Sequence, residues 1–370
     1  MNENLLTRIV DLAVAIQQIP APTFQEEERI SYLLDRFQAE GLCDVSRDAA
    51  GNLYARMPGT GSTLPLVVSA HADTVFPVTT DLTCRRLKER VYGPGIGDNA
   101  LGVAGLFGLL WLLREREVTL PGDLWLVANT GEEGLGNLRG MRAVVERFDG
   151  QVLCYLVLEG MALGQIYHRG LGVRRYRIQA HTSGGHSWVD YGKPSAVHEL
   201  ARLVARMTEI ALPARPRTTL NVGKISGGTS INTIAAEAVL ELDLRSEDPA
   251  MLVWLAGSIE RLVEQASRPG VQVTCRVIGE RPAGGIPAGH PLVRLARSCL
   301  DRQGIPAHLG IGSTDANVPL SLGLPAVCIG LTTGGGAHTM DEFVRISPLS
   351  RGMEQLAALV EGAFRELPAL

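Results

Sequence analysis

The chain has no cysteine pair at redox or metal-knuckle spacing. Its six cysteines, Cys43, Cys84, Cys154, Cys275, Cys299 and Cys328, stand far apart with no C-x-x-C among them. That excludes a zinc ribbon and a disulfide framework, and leaves most of them as small apolar side chains for the interior. Runs of lysine and arginine are also missing and the formal net charge is −4, so nothing here neutralises a line of phosphates or grips an anionic bilayer. Neither nucleic acid nor membrane is expected as a partner. The longest apolar run, around Leu106 to Leu113, is too short to cross a bilayer. The opening residues mix Glu3, Arg8 and Asp11 with apolar residues at helical spacing and lack the layout of a signal peptide, so a cytoplasmic location is expected. A Gly-x4-Gly-Lys-Ser/Thr loop is absent too, which disfavours phosphoester chemistry.

What is present is a globular composition, 45% apolar and 20% charged over 370 residues, long enough for two domains or for one domain with a large insertion. Short apolar stretches at Leu64–Ser69, Leu124–Ala128, Val152–Leu158 and Pro325–Ile329 read as buried strands of a parallel sheet. Helical patterns at Leu101–Arg116, Met141–Phe148 and Met353–Phe364 lie among them, and the alternation predicts an α/β three-layer domain. After Gly170 the pattern becomes β-α-β-β-α-β, with strands at Val173–Ala180, Leu220–Ser226, Ala238–Leu244 and Val271–Ile278 and helices at Ser195–Thr208 and Pro249–Gln265. That order predicts an inserted α+β ferredoxin-like domain, bracketed by turn-rich Tyr167–Gly172 and Gly279–Gly289.

Ligands of open α/β sheets gather beyond the carboxyl ends of the strands. The residues there are Ala70-His71-Ala72-Asp73-Thr74, Thr130-Gly131-Glu132-Glu133-Gly134, Glu159-Gly160 and a glycine loop ending at His338, while Asp98 precedes the helix at Leu101. Each has a plain structural reading: a histidine hydrogen-bonded in a turn, an aspartate capping a helix, a solvated acidic pair. Those readings do not predict that all converge on one edge. Imidazoles and carboxylates without thiolate suit a borderline divalent ion, zinc with cobalt or manganese as alternatives. The charge sum favours two ions, since Asp98, Glu133 and Glu159 supply three negative charges and a bridging hydroxide a fourth. Asp73 lies two residues from His71, on the same side of a strand, where its carboxylate can orient the imidazole. Glu132 and Glu133 are adjacent, so one can bind metal while the other stands off as a base.

With these residues in view, the chain resembles the co-catalytic zinc exopeptidases and deacylases that include carboxypeptidase G, peptidase T, acetylornithine deacetylase and succinyl-diaminopimelate desuccinylase. The resemblance spans nearly the whole chain and is carried by Ser69-Ala70-His71-Ala72-Asp73-Thr74-Val75, Gly97-Asp98-Asn99, Gly131-Glu132-Glu133-Gly134, Leu158-Glu159-Gly160, Gly185-His186-Ser187 and Gly335–His338. It implies a zinc-exopeptidase-like catalytic domain of residues 1–169 plus 286–370 and a lid or dimerisation domain of 170–285. It further implies His71 and Glu159 on one metal, Glu133 and His338 on the other, Asp98 bridging, Glu132 as general base and a cis link after Asp98. From the lid it implies His186 over the scissile carbonyl, often from the partner subunit of a homodimer, with Asn232 and Arg245 on substrate. Without it, Arg245 reads as an exposed strand-end charge and Asn232 as a turn residue. Asp315 and Asn317, in Ser313-Thr314-Asp315-Ala316-Asn317, read equally as lining the site or as satisfied turn residues. The expected activity is metal-dependent cleavage of a small peptide by a metal-activated bridging water. The alternatives are deacylation of an N-acyl amino acid and a metal-binding module without catalysis, which Glu132 argues against.

Overall fold

The computed structural model describes residues 1–367, and the chain forms two compact units, one of Met1–Gly170 with the chain from Gly285 onward and one of Leu171–Gly284. In the first unit, Leu66–His71, Leu124–Asn129, Tyr155–Glu159 and Ala326–Gly330 form a parallel sheet core in the order Leu124, Leu66, Tyr155, Ala326. Every residue of Leu66–His71 is buried, so both faces of the sheet centre are covered, as runs of Leu, Val and Ala with no alternation require. An antiparallel hairpin, Cys43–Arg47 and Leu53–Met57, extends one side.

Gln165–Gly170 extends the other side, antiparallel to Ala326–Gly330 and parallel to His308–Gly312. This segment overlaps the stretch expected to be turn-rich. It alternates, with Ile166, His168 and Gly170 buried between more exposed neighbours, and the one buried polar ring is satisfied because His168 Nδ1 lies 2.7 Å from the Ile286 carbonyl.

Helix Leu101–Glu115 lies against this sheet, with Glu3–Gln17 and Leu349–Glu366 packed on it. It is apolar nearly all round, as a helix enclosed on every side must be. Together with the turn before it, it is the one segment among the described residues long and apolar enough to cross a membrane, and 94% of it is buried inside the fold. The start of this helix is irregular. The chain enters through a tight turn, Ile96–Ala100, in which Asp98 and Asn99 leave helical geometry and are joined by a cis peptide bond.

The second unit is a four-stranded antiparallel sheet in the order Thr218–Gly227, Glu237–Ser246, Gly172–Thr182, Val271–Arg281, with helices Ala196–Thr208 and Pro249–Ala266. This is the ferredoxin-like arrangement. Strict alternation builds it: Tyr176, Ile178, Ala180, Leu240, Leu242 and Leu244 face Leu200, Leu203, Leu255 and Ile259 in its own core. The intervening side chains form ion pairs on the open face, Arg177 with Glu241 at 2.6 Å and Arg175 with Asp243 at 2.9 Å.

Candidate metal centre

His71 and Glu159 end neighbouring parallel strands, and the register pairs Ser69 with Val157. Two residues further along each strand, an imidazole and a carboxylate therefore emerge side by side on the same face. The next strand pairs His71 with Asn129, and the loop after Asn129 brings Glu132 and Glu133 to the same edge. Asp98 comes from the turn before the central helix. Two glycines allow the close approach: a side chain at Gly160 would meet the Gly97 carbonyl at 2.4 Å, and Gly131 takes a left-handed φ of +67°.

Asp98 sits in the middle. Its Oδ1 lies 3.2 Å from His71 Nε2 and its Oδ2 lies 3.0 Å from His338 Nε2, so each carboxylate oxygen faces a different imidazole. Glu159 Oε2 stands 3.8 Å from His71 Nε2, and Glu133 Oε1 stands 3.1 Å from His338 Nε2. One donor atom from each of His71, Asp98 and Glu133 falls within 4.8 Å of the others. The five residues thus divide into two donor groups that share Asp98. His71 is buried, whereas the His338 side chain is 53% exposed.

The electrostatics stem from crowding. Burial alone would hold His71 neutral, but hydrogen bonding to Asp73, Asp98 and Glu159 outweighs it and raises its pKa well above the ordinary value. Asp98 and Glu133 push His338 up to about 10. Asp98 is partly buried, and its desolvation raises a carboxyl, yet the two imidazoles win and hold it below the usual range. Glu159 is driven up by burial, opposed by His71 and reinforced by Asp98 and Glu133. A field that draws protons onto two imidazoles draws divalent cations in the same way, and nitrogen and oxygen donors without sulfur suit zinc, cobalt or manganese. The donor set fits a pair of such ions.

Asp73 does more than its spacing suggested. His71 Nδ1 lies 3.2 Å from the Asp73 backbone carbonyl and 3.5 Å from its carboxylate. The carboxylate mainly accepts from the backbone N–H of Glu132 at 3.0 Å and of Glu133 at 2.9 Å, and from Thr23 Oγ1 at 2.8 Å. Asp73 therefore ties the His71 strand to the loop carrying both glutamates. Glu132 is buried, 5% exposed. Two supporting residues, Arg29 and Glu342, left no sequence signal, and a third, Asn99, stood in the Gly97-Asp98-Asn99 segment without its bracing role being legible. Arg29 is fully buried and donates to the backbone carbonyls of Ile19 and Ala72. Asn99 and Glu342 brace the turn that carries Asp98. In the loop at 313–317, Asn317 Oδ1 accepts from Thr314 N as a turn residue does, and Asp315 is fully buried, accepts from Asn129 at 2.6 Å and is pushed up to about 7 by burial.

The remaining candidates lie in the second unit. His186 pairs with Thr233 in a short ladder, and Ser187 N donates to the Asn232 carbonyl, so His186 and Asn232 are neighbours. His186 Nδ1 accepts from the backbone N–H of Trp188 and Val189 at 3.2 and 3.3 Å, which leaves Nε2 as the protonated nitrogen of the neutral ring. Arg245 stands elsewhere. It lies on the open face of Glu237–Ser246 and donates to Asp243 at 2.7 Å. The pairing of Glu237 with His181 and of Arg245 with Val173 sets it at the end of that strand away from the His186 group. The eight steps along the strand from Glu237 to Arg245 cover roughly 27 Å at about 3.4 Å each.

Comparison with known proteins agrees over most of the chain. The sequence profile described as Peptidase family M20/M25/M40 matches residues 67–362. Carboxypeptidase G2 of Pseudomonas sp. is 25% identical over 90% of this chain and 81% of its own length. Among solved structures, a tripeptidase from Staphylococcus aureus superposes with a TM-score of 0.83 at 23% identity, covering 98% of this chain and 99% of the other. A dinuclear metal-binding peptidase of Bacillus subtilis superposes with a TM-score of 0.70 at 16% identity, covering 99% and 100%.

Proposed function

The chain belongs to peptidase family M20/M25/M40 and is a metallo-hydrolase, and from that premise we propose that it cleaves an amide bond in a di- or tripeptide with the help of two divalent ions, zinc by preference. His71 and Glu159 would hold one ion, Glu133 and His338 the other, and Asp98 both. The observation that carries this reading is the Asp98 carboxylate, whose two oxygens face two different imidazoles. When bound, such a pair lowers the pKa of water toward neutrality and polarises the scissile carbonyl.

The residues of the chain do the rest. Glu132, buried beside Glu133, takes a proton from the attacking water as the oxygen bonds to the carbonyl carbon, then delivers it to the amine nitrogen as the C–N bond breaks. Asp73 holds the Glu132–Glu133 peptide by its backbone amides and so keeps the proton carrier and a ligand in fixed relation. His186, with Nε2–H free to donate, stabilises the oxyanion. Asn232 and Arg245 hold polar groups of the substrate. The first unit is thereby the catalytic domain and the second the lid. Because His186 and Arg245 stand at opposite ends of one lid strand, a single lid does not bring both to one small substrate; a homodimer through the lid, with His186 reaching the partner's site, removes the conflict.

The test is a mass-spectrometric screen of metal-reconstituted protein against di- and tripeptides and N-acyl amino acids. Peptide cleavage that is lost on chelation is the expected outcome. Hydrolysis of acyl amino acids alone would move the substrate class to deacylation, and bound metal with no turnover on either would reduce the chain to a binding module.

A further inference from the structure

Glu342 is a carboxylate with no exposed surface, and its hydrogen bonds converge on one segment. Its Oε1 accepts from Gly97 N at 2.7 Å and Asp98 N at 2.8 Å, its Oε2 accepts from Gly95 N at 3.0 Å, and its carbonyl accepts from Gly93 N at 2.9 Å. The segment needs this help. Gly95 is left-handed at φ +76° and Asp98 is off helical geometry, so the amides at 95, 97 and 98 lack the acceptors of a regular ladder, and buried N–H groups require partners. A carboxylate, with two oxygens and about four lone-pair sites, can serve three donors at once.

The other side of the turn is braced by Asn99, also fully buried, which donates to the Leu158 carbonyl at 2.8 Å and accepts from Gly160 N at 2.9 Å. Asn99 thus grips the residues on both sides of Glu159. Glu342 sits four residues beyond His338, and its N–H reaches the Thr339 carbonyl at 3.3 Å. Asp98 is consequently hung between two backbone anchors, one belonging to the Glu159 strand end and the other to the His338 loop.

We infer that Glu342 is a positioning residue for the metal pair: through the backbone of Gly95, Gly97 and Asp98 it fixes where the Asp98 carboxylate stands relative to His338, and so allows one carboxylate to serve both ions. The inference rests on the two-ion reading above. Its chemistry is specific to a carboxylate. A glutamine in its place offers one acceptor oxygen instead of two and turns an NH2 group toward a backbone N–H, which frees the turn and moves Asp98 off the midline.

The experiment is zinc titration of metal-free wild-type protein and of Glu342→Gln against a chromophoric chelator, with kcat and KM measured on the reloaded samples and melting of the metal-free forms as a folding control. Wild type should take two ions. The variant should hold one of them about 10–100-fold more weakly, the usual cost of losing a residue that orients a ligand, and lose kcat with KM unchanged. Equal stoichiometry and affinity in the two proteins overturns the inference, whereas a wild type that binds no zinc overturns the two-ion reading instead. Amide exchange in the unsubstituted protein tests it without a variant: Gly95, Gly97 and Asp98 should be as protected as the helix beginning at Leu101, and rapid exchange at all three refutes the carboxylate anchor.

Discussion

The two units handle their chemically important side chains in opposite ways. In the first, His71, Asp98, Glu133 and Glu159 emerge from strand ends and a braced turn, are largely shielded from solvent, and are held by residues that are themselves fully buried, Asp73, Asn99 and Glu342 among them. In the second, His186 lies exposed at the end of a short strand, Asn232 on a turn beside it, and Arg245 on an open sheet face beside Asp243. Under the proposed roles the difference is a division of labour: metal holding and proton transfer fall to braced, buried groups, and contacts to the oxyanion and the substrate to groups with more freedom to adjust.

The strongest way to break this comparison is to disable the rigid side alone. Glu132→Gln should retain both ions by elemental analysis yet lose about 10²–10⁴-fold in kcat; full turnover in a metal-loaded variant removes Glu132 from proton transfer. On the adjustable side, His186→Ala should lose about 10²–10³-fold in kcat, the cost of one oxyanion donor. Mixing these two inactive variants sharpens the contrast: if His186 serves the partner's site, activity returns in the mixture, and if it serves its own, none does. Arg245→Ala should have a smaller effect, raising KM about tenfold with kcat little changed, the worth of one hydrogen bond to a charged group.

The mildest test concerns protons. His338 in the metal-free protein is raised from its ordinary value to about 10, so at pH 7 it is protonated, and a divalent ion that binds there would displace that proton; the upward shift of His71 acts in the same direction. Calorimetry in buffers of different ionisation enthalpy should record proton release at pH 7, and metal affinity should fall as the pH is lowered. The same shift sets the sign for stability. Because the folded value lies above the unfolded value near 6.5, the contribution of protonated His338 to metal-free stability is complete below about pH 6.5 and disappears as the pH rises through about 10, which thermal melts across that range will register.

Much of this architecture was legible in the residues alone, and the reasons are physical. Parallel strands buried on both faces read as unbroken apolar runs, and the residues just beyond them must stand at one edge, so His71, Glu133 and Glu159 could be picked out by position. The split β-α-β-β-α-β order of the second unit was legible for a similar reason, since its alternation is strict. What stayed hidden was side chain bonded to backbone. Glu342, Arg29 and Asn99 spend their polar atoms on carbonyls and amides of distant segments, and such bonds impose no period on the sequence. Asp73 was placed near His71 by its spacing, but nothing in that spacing revealed that its carboxylate chiefly holds the amides of Glu132 and Glu133. The strand at Gln165–Gly170 was obscured by its tyrosine, histidine, arginine and glycine, residues that also make turns.

The unequal shielding of the two imidazoles has a consequence of its own. His71 is sealed inside the protein while half of the His338 side chain faces solvent, so the two halves of the centre differ in how easily water and small chelators arrive. Under the two-ion reading, a cation beside His338 would exchange first and one beside His71 would be retained longest, so partial chelation would leave a form carrying a single cation.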